Sequence, residues 1–124
     1  MENKIFDYPK VCTDIKNLDE KIRFVSIINE HGNLIAGGIN GESESRENKI
    51  FYEDLYEEVA TRIKLRKKFD RVLGEIKGTI VIRNHVITIN LPIKNDILFI
   101  SADTSINYSV ILEKIFTEVL SDAQ

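Results

Sequence analysis

The 124 residues of this chain are 43% hydrophobic and carry a formal charge of −3, which suits one globular domain with a single core. The acidic balance argues against general attraction to nucleic acid or to an anionic membrane. The single cysteine, Cys12, excludes an internal disulfide and a multi-cysteine metal site. The N-terminus lacks the pattern of a secretory signal, and no apolar run approaches the roughly 20 residues that cross a bilayer. We therefore expect a cytoplasmic protein that does not insert into membranes.

The first predicted elements are a short helix and a β-hairpin. Residues 1–10 are expected to form a flexible lead-in, followed by a single domain over residues 11–121. Apolar residues spaced four, three and four apart predict one face of a helix: Val11, Ile15, Leu18 and Ile22. In residues 24–38, FVSIINEHGNLIAGG, two apolar runs flank a polar break. This pattern is typical of a hairpin, with Gly32 supplying the positive φ that a tight turn can require.

A long helix is predicted from about Lys49, because apolar residues recur along it in two adjacent rows. These rows are Phe51, Leu55, Val59 and Ile63, and beside them Tyr52, Tyr56 and Ala60. Together they form a stripe broad enough to cover a sheet. A second helical piece, Lys67 to Leu73, ends before Gly74.

Three strands and a closing helix complete the predicted elements. Thr79–Arg83 and Val86–Leu91 are joined by a two-residue hairpin connection, and Pro92 begins the next turn. Ile97–Ala102 is a nearly continuous apolar run, which predicts a central strand covered on both faces. The closing helix spans about residues 106–121.

The element order α-β-β-α-β-β-β-α predicts an α/β (α+β) fold. The simplest closure pairs the first strand with the last, which gives a five-stranded antiparallel sheet in the order 2-1-5-4-3. The terminal helices would cover one face and the long helix the other. PAS and GAF sensor domains share much of this strand order, but PAS domains usually place several short helices where this chain has one long helix.

These elements resemble the roadblock/LC7 family of profilin-like α/β/α sandwiches. The likeness rests on the hairpin, the long central helix, the meander GTIVIRNHVITINLPIKNDILFISAD and the closing helix, and it covers almost the whole chain. The chain is also similar to uncharacterised archaeal single-domain proteins. The resemblance implies a fold without known catalysis, and partners that include small GTPases or larger regulatory assemblies.

No catalytic or metal-binding pattern is visible in the sequence. The two histidines, His31 and His85, each fall in a predicted turn, and no Ser/His/Asp or Cys/His arrangement can be assigned. Cys12 is interpreted as a small, half-buried hydrophobic residue. We therefore predict a protein that is not an enzyme and has no cofactor or metal site.

The central helix carries acids early and bases late. The late bases, which could meet an anionic partner such as nucleic acid, are Arg62, Arg66, Lys67, Lys68 and Arg71. Helix stabilisation explains both ends of this gradient, because charges placed against the helix macrodipole contribute about 0.3–1 kcal/mol each. Nucleic-acid binding explains one end and is the weaker interpretation.

The predicted edge strand leads to the main functional hypothesis. Thr79–Ile82 carries three consecutive apolar residues, a liability at a sheet edge unless another chain pairs with it. Roadblock-like domains join two sheets edge to edge beside their central helices. The implied dimer interface consists of Tyr52, Tyr56, Thr79, Ile80, Val81, Ile82 and Arg83. The leading hypothesis is a non-enzymatic regulatory or scaffolding module that works as a homodimer and is linked to small-GTPase regulation.

Two alternatives imply different partners. A PAS- or GAF-like sensor would hold a small molecule between the sheet and the long helix, using polar groups such as Tyr56, Ser26 or Asn90. A nucleic-acid-binding accessory protein would use the basic end of the central helix.

Overall fold

The chain forms one five-stranded antiparallel sheet in a computed structural model that describes residues 6–39 and 46–121, without the side chains of residues 46 and 47. The strands are β1 (Ile22–Ile28), β2 (Leu34–Gly37), β3 (Thr79–Ile82), β4 (Ile87–Ile93) and β5 (Asp96–Ala102). They lie in the order β2-β1-β5-β4-β3, which confirms the predicted topology.

Helices cover both faces of this sheet. They are α1 (Tyr8–Lys16), α2 (Arg46–Arg66), α3 (Asp70–Leu73) and α4 (Tyr108–Lys114). A 3₁₀ turn over Lys67–Phe69 joins α2 to α3, and a π turn over Ile115–Val119 follows α4. One hydrophobic core lies between the sheet and the pair α1 and α4, and a second lies beneath α2. The predicted α/β/α layering is therefore present.

β5 is the central strand because its side chains are buried on both faces. Leu98 and Ile100 belong to the core beneath α1 and α4. Ile97 and Phe99 belong to the core beneath α2. This alternation confirms the doubly covered strand that the apolar run predicted.

The first helix begins inside the predicted lead-in. Asp7 caps α1 by accepting a hydrogen bond from the backbone N–H of Lys10 at 3.2 Å. The Tyr8 hydroxyl donates to the carboxylate of Asp96 at 2.7 Å, which ties α1 to the start of β5. The described part of the lead-in is thus held against the domain, whereas residues 1–5 lie outside the described residues.

Two predicted boundaries are wrong. Ile22, assigned to the face of the first helix, is the first residue of β1 and lies opposite Ala102. Pro92, expected to begin a turn, lies within β4 opposite Ile97. The pairing of β3 with β4 reaches only Asn90, so Pro92, which lacks an N–H, has no β3 residue opposite it.

β2 is a short strand at the other edge of the sheet. Its pairing with β1 shifts register between Ile27 and Ile28. Gly37 and Gly38 end the strand, with φ values of 72° and 106°. The hairpin predicted within residues 24–38 is therefore present, but its second strand is irregular.

Candidate interaction surface

The turn between β1 and β2 rests directly on the backbone of α2. Gly32 in this turn has a φ of 87°. A Cβ atom at this position would lie 2.6 Å from the Cα of Glu57 and 2.8 Å from its backbone nitrogen. Only glycine allows so close an approach, and the contact fixes where α2 lies over the sheet.

Tyr56 lies beneath α2 and is only 4% exposed. Its hydroxyl and that of Ser26 lie 2.7 Å apart and form a buried hydrogen bond. Its ring packs edge-on against Phe99, with the ring centres 5.3 Å apart. Tyr52, one turn earlier, is half-buried and packs edge-on against Phe24. Of the two tyrosines predicted for a dimer interface, Tyr52 therefore has the surface that a partner could reach.

Removing one hydroxyl of the Ser26–Tyr56 pair should destabilise the fold. Tyr56→Phe leaves the fully buried Ser26 hydroxyl without this partner, which should lower the free energy of unfolding by about 1–3 kcal/mol. Ser26→Ala removes the same bond from the other side. The double variant contains neither hydroxyl of the pair. We therefore expect its loss in free energy of unfolding to be smaller than the sum of the losses in the two single variants. Urea unfolding of the four proteins measures this, and strictly additive costs would contradict it.

A groove of about 680 Å³ runs between α2 and the sheet on the β3 side. It is open because α2 packs on β1 and β5 and leaves this face of β4 and β3 uncovered. Asn90 on its floor is buried; its side-chain nitrogen donates to Thr79 at 3.4 Å, and its Oδ1 has no hydrogen-bond partner among the described residues. Of the three polar groups named for a sensor, Ser26 and Tyr56 bind each other and Asn90 reaches the groove.

Among the strands that the structure describes, β3 is hydrogen-bonded to a neighbour on one side only. It pairs with β4, and its other side is the edge of the sheet. Val81 is 39% and Ile82 is 65% exposed, whereas Ile80 is half-buried against the core beneath α1 and α4. Arg83 follows the strand, and its N–H donates to the carbonyl of Val86. The predicted interface residues Thr79 to Arg83 thus form one continuous edge, and their contact with a second chain stays a prediction.

The five bases of the predicted anionic-partner patch are all exposed. Arg62 donates to Glu58, and this hydrogen bond raises the pKa of the Arg62 guanidinium. Arg66 lines the groove, and the ammonium of Lys68 lies 5.7 Å from the ring centre of Phe69. The patch runs from the last turns of α2 into α3, and binding of an anion there stays a prediction.

The two histidines and the cysteine belong to three different parts of the fold. His31 and His85 lie exposed in two different turns. Cys12 is buried beneath α1, and burial raises the pKa of its thiol to about 11, so it is not a thiolate at neutral pH. Within residues 6–39 and 46–121, no three His, Cys, Asp or Glu side chains are grouped to hold a metal ion. No helix in the same ranges has the length and apolar character to cross a membrane.

The exposure of Phe51 differs from the prediction. The sequence pattern placed Phe51 in the buried row of the central helix, but the side chain is 57% exposed. The sheet accommodates the row of Tyr56, Val59 and Ile63, so Phe51 is left at the rim of the groove. The sequence alone gives no signal for this exposure, because Phe51 shares one broad apolar stripe with the residues that are buried.

Comparison with known proteins and solved structures gave one family and one fold. A family model described as a family of unknown function (DUF6659) matches residues 1–122, and no curated protein matches. A roadblock/LC7 domain from Streptomyces avermitilis superposes with a TM-score of 0.70 at 8% identity, covering 94% of each chain. Myxococcus xanthus MglB gives 0.69 at 12% identity, covering 91% of this chain and 89% of that one. The gliding protein MglB from Thermus thermophilus gives 0.68 at 13% identity, covering 99% of this chain and 97% of that one.

At these identities the likeness shows the fold alone. The chain has the roadblock/LC7 fold, which confirms the likeness predicted from its elements. The narrower similarity to archaeal proteins stays a prediction.

Proposed function

We propose that this chain, which belongs to the DUF6659 family, is a non-enzymatic regulatory module that works as a homodimer through β3. The observation that carries the proposal is the apolar edge. Val81 and Ile82 stand exposed on a strand whose outer side pairs with no other strand within residues 6–39 and 46–121. Such an edge recruits another strand unless something covers it, and a second copy of the same edge is self-complementary in backbone hydrogen bonds.

The two-fold symmetry of such a dimer determines how the helices lie. When two copies of β3 pair about an axis perpendicular to the sheet, the strands run antiparallel and the two sheets become one. The same axis places both copies of α2 on the same face of the joined sheet, running in opposite directions. The open groove beside each α2 then faces the dimer axis, and Tyr52 lies on the wall of that groove.

Lysine substitutions at the β3 edge should convert the dimer to a monomer. Val81→Lys and Ile82→Lys place charges where two apolar strands would meet, and both side chains are exposed enough that the fold should persist. Sedimentation velocity at micromolar concentration measures the change. The matched controls are Leu34→Lys and Ile35→Lys, which alter exposed apolar residues on β2, the opposite edge.

The outcomes of this experiment are distinct. A dimer that is lost with the β3 variants and kept with the β2 variants supports the proposal. A wild-type protein that is monomeric, or a dimer that responds only to the β2 variants, contradicts it. Circular dichroism of each variant establishes that the fold is retained.

The proposed partner class is a small GTPase or another regulatory protein, and the motivation is the roadblock/LC7 fold. Exposed cations at the end of α2 and in α3 would suit an acidic surface on such a partner. Titration of the dimer with a purified small GTPase in its GDP and GTP forms tests this class. A binding affinity that changes neither with the bound nucleotide nor with the salt concentration would argue against a regulatory contact at these cations.

A further inference from the structure

The sheet beneath the groove is polar on the face toward α2 and apolar on the other face. The polar side chains of this floor come from three adjacent strands and are Thr79, Thr88, Asn90 and Ser101. The pairing of β3, β4 and β5 places them in two adjacent rows. On the opposite face of the same strands, Ile89 and Ile100 are fully buried in the core beneath α1 and α4. The floor is therefore suited to hydrogen-bond a polar molecule in the groove.

Asn90 is the residue of this floor that lacks a hydrogen bond. It is 5% exposed and lines the groove. Its side-chain nitrogen donates to Thr79 at 3.4 Å, and its Oδ1 has no partner among the described residues. A buried amide oxygen without a partner destabilises a fold, and a donor on a ligand would supply the missing bond. The amide offers both a donor and an acceptor, which is the combination that matches the edge of a heterocyclic base.

Aromatic rings form a wall of the groove beside this amide. Phe99 lies opposite Asn90 in the pairing of β4 with β5. It stacks on Phe24, which in turn meets Tyr52 edge-on, with ring centres 6.0 Å and 5.4 Å apart. Phe51 packs edge-on against Tyr52 and is 57% exposed at the rim of the groove. This wall gives a flat ring a surface on which to stack.

The lining of the groove is positively charged, although the chain as a whole has a formal charge of −3. Among the described residues, one acid, Glu58, and four arginines line it, the arginines being Arg23, Arg62, Arg66 and Arg83. Arg62 binds Glu58, and Arg23 lies 4.0 Å from Asp103. Within the described ranges the Arg83 guanidinium has no ion-pair partner. Guanidinium groups bind phosphate through paired N–H donors, and a cleft of one charge sign attracts ligands of the other.

The cations at one end of the groove lie at a distance from the floor amide that suits an elongated ligand. The backbone N–H of Arg83 donates to Val86 beside the turn between β3 and β4, and Arg23 donates to the carbonyl of His85 in that turn at 3.1 Å. Four residues separate Val86 from Asn90, which is about 13 Å along a strand. The groove has a volume of about 680 Å³, within the range of small-molecule sites.

From this arrangement we infer that the groove binds a nucleotide. Its base lies on the aromatic wall with one edge on the amide of Asn90, and its phosphate lies on the arginines near the turn between β3 and β4. The inference goes beyond the proposed function and does not rest on it, because every group that forms the site belongs to one chain.

Isothermal titration calorimetry with AMP, GMP, CMP and UMP tests the site. We expect at least one of them to bind once per chain, about tenfold or more tightly than its nucleoside or inorganic phosphate, because the site holds both ends of the ligand. Asn90→Leu and Arg83→Gln should each weaken this binding about tenfold or more. Arg71→Gln is the matched control, because Arg71 is an exposed cation that does not line the groove.

Asn90→Leu has a second measurable effect, on stability without nucleotide. Leucine is close to asparagine in size and has no polar side-chain atom, so it removes the buried oxygen that lacks a partner. The urea midpoint of this variant should equal or exceed that of wild type, although the variant binds nucleotide more weakly. A lower midpoint would assign Asn90 to the stability of the fold and would overturn its role in binding.

The remaining results also decide the inference. If none of the four nucleotides binds at millimolar concentration, the inference is overturned. Inorganic phosphate that binds as tightly as the nucleotides would indicate an adventitious ion only, and binding that survives both Asn90→Leu and Arg83→Gln would lie elsewhere; each outcome overturns it. A monomeric wild type that binds nucleotide supports the inference and contradicts the proposed function, and a dimer that binds none does the reverse.

Discussion

Gly32→Ala should lower the free energy of unfolding by about 3–5 kcal/mol, because it combines two independent costs. The residue has a φ of 87°, a conformation that side chains rarely adopt. The new methyl group would also lie 2.6 Å from the Cα of Glu57, and a helix backbone cannot move aside as a flexible side chain can. Either the turn between β1 and β2 or α2 must shift. Urea unfolding at a fixed protein concentration measures the loss.

Gly74→Ala is the matched control for this prediction. Gly74 also has a positive φ, 90°, but a Cβ there would meet nothing within 4 Å. Its replacement should therefore cost only the backbone strain, about 1–3 kcal/mol. If the two variants lose equal stability, the close approach of the turn to α2 contributes nothing and the prediction is wrong.

Phe99→Ala should lower the free energy of unfolding by a similar amount, about 3–5 kcal/mol. Phe99 lies on β5 and is 1% exposed. Its ring packs against Tyr56 and stacks on Phe24 at 6.0 Å between ring centres, so it joins α2 to two strands. The cavity left by alanine cannot collapse easily, because β5 is hydrogen-bonded on both sides.

Phe99→Leu tests whether the loss in free energy of unfolding depends on how much side-chain volume is removed. Leucine keeps most of the apolar contact, and we expect a cost of about 1–2 kcal/mol. The ordering of wild type, leucine and alanine in urea unfolding checks the prediction. Equal stability of the alanine variant and wild type would mean that the core beneath α2 contributes little to holding α2 on the sheet.

The strand order was accessible from the sequence because each strand carries its own signal. An apolar run buried on both faces, such as Ile97 to Ala102, can only be an interior strand. Once the two hairpins are assigned, the simplest way to join them into one sheet is to pair the first strand with the last. The start of α1 was missed because it depends on Asp7 as a cap and on the distant contact of Tyr8 with Asp96. Local periodicity carries no information about a contact between residues so far apart in the chain.

The interaction surface was only partly predictable. The edge position of β3 follows from the strand order alone, and Thr79 to Ile82 were identified on that basis. The different exposures of Tyr52, Tyr56 and Phe51 were not accessible, because all three lie in one broad apolar stripe of α2. Which of them is buried depends on how far the sheet extends beneath the helix. Gly32 determines this position, because it brings the turn into contact with the backbone of α2.

The irregular β2 strand bears on the size of the assembly. An isologous contact through β3 occupies that edge in both copies. A further chain could then pair with the sheet only at the β2 edge. β2 has four residues, a register shift beside it and two glycines of positive φ at its end, so it is a poor template for an incoming strand. Association through sheet edges should therefore stop at a closed pair and not continue into filaments.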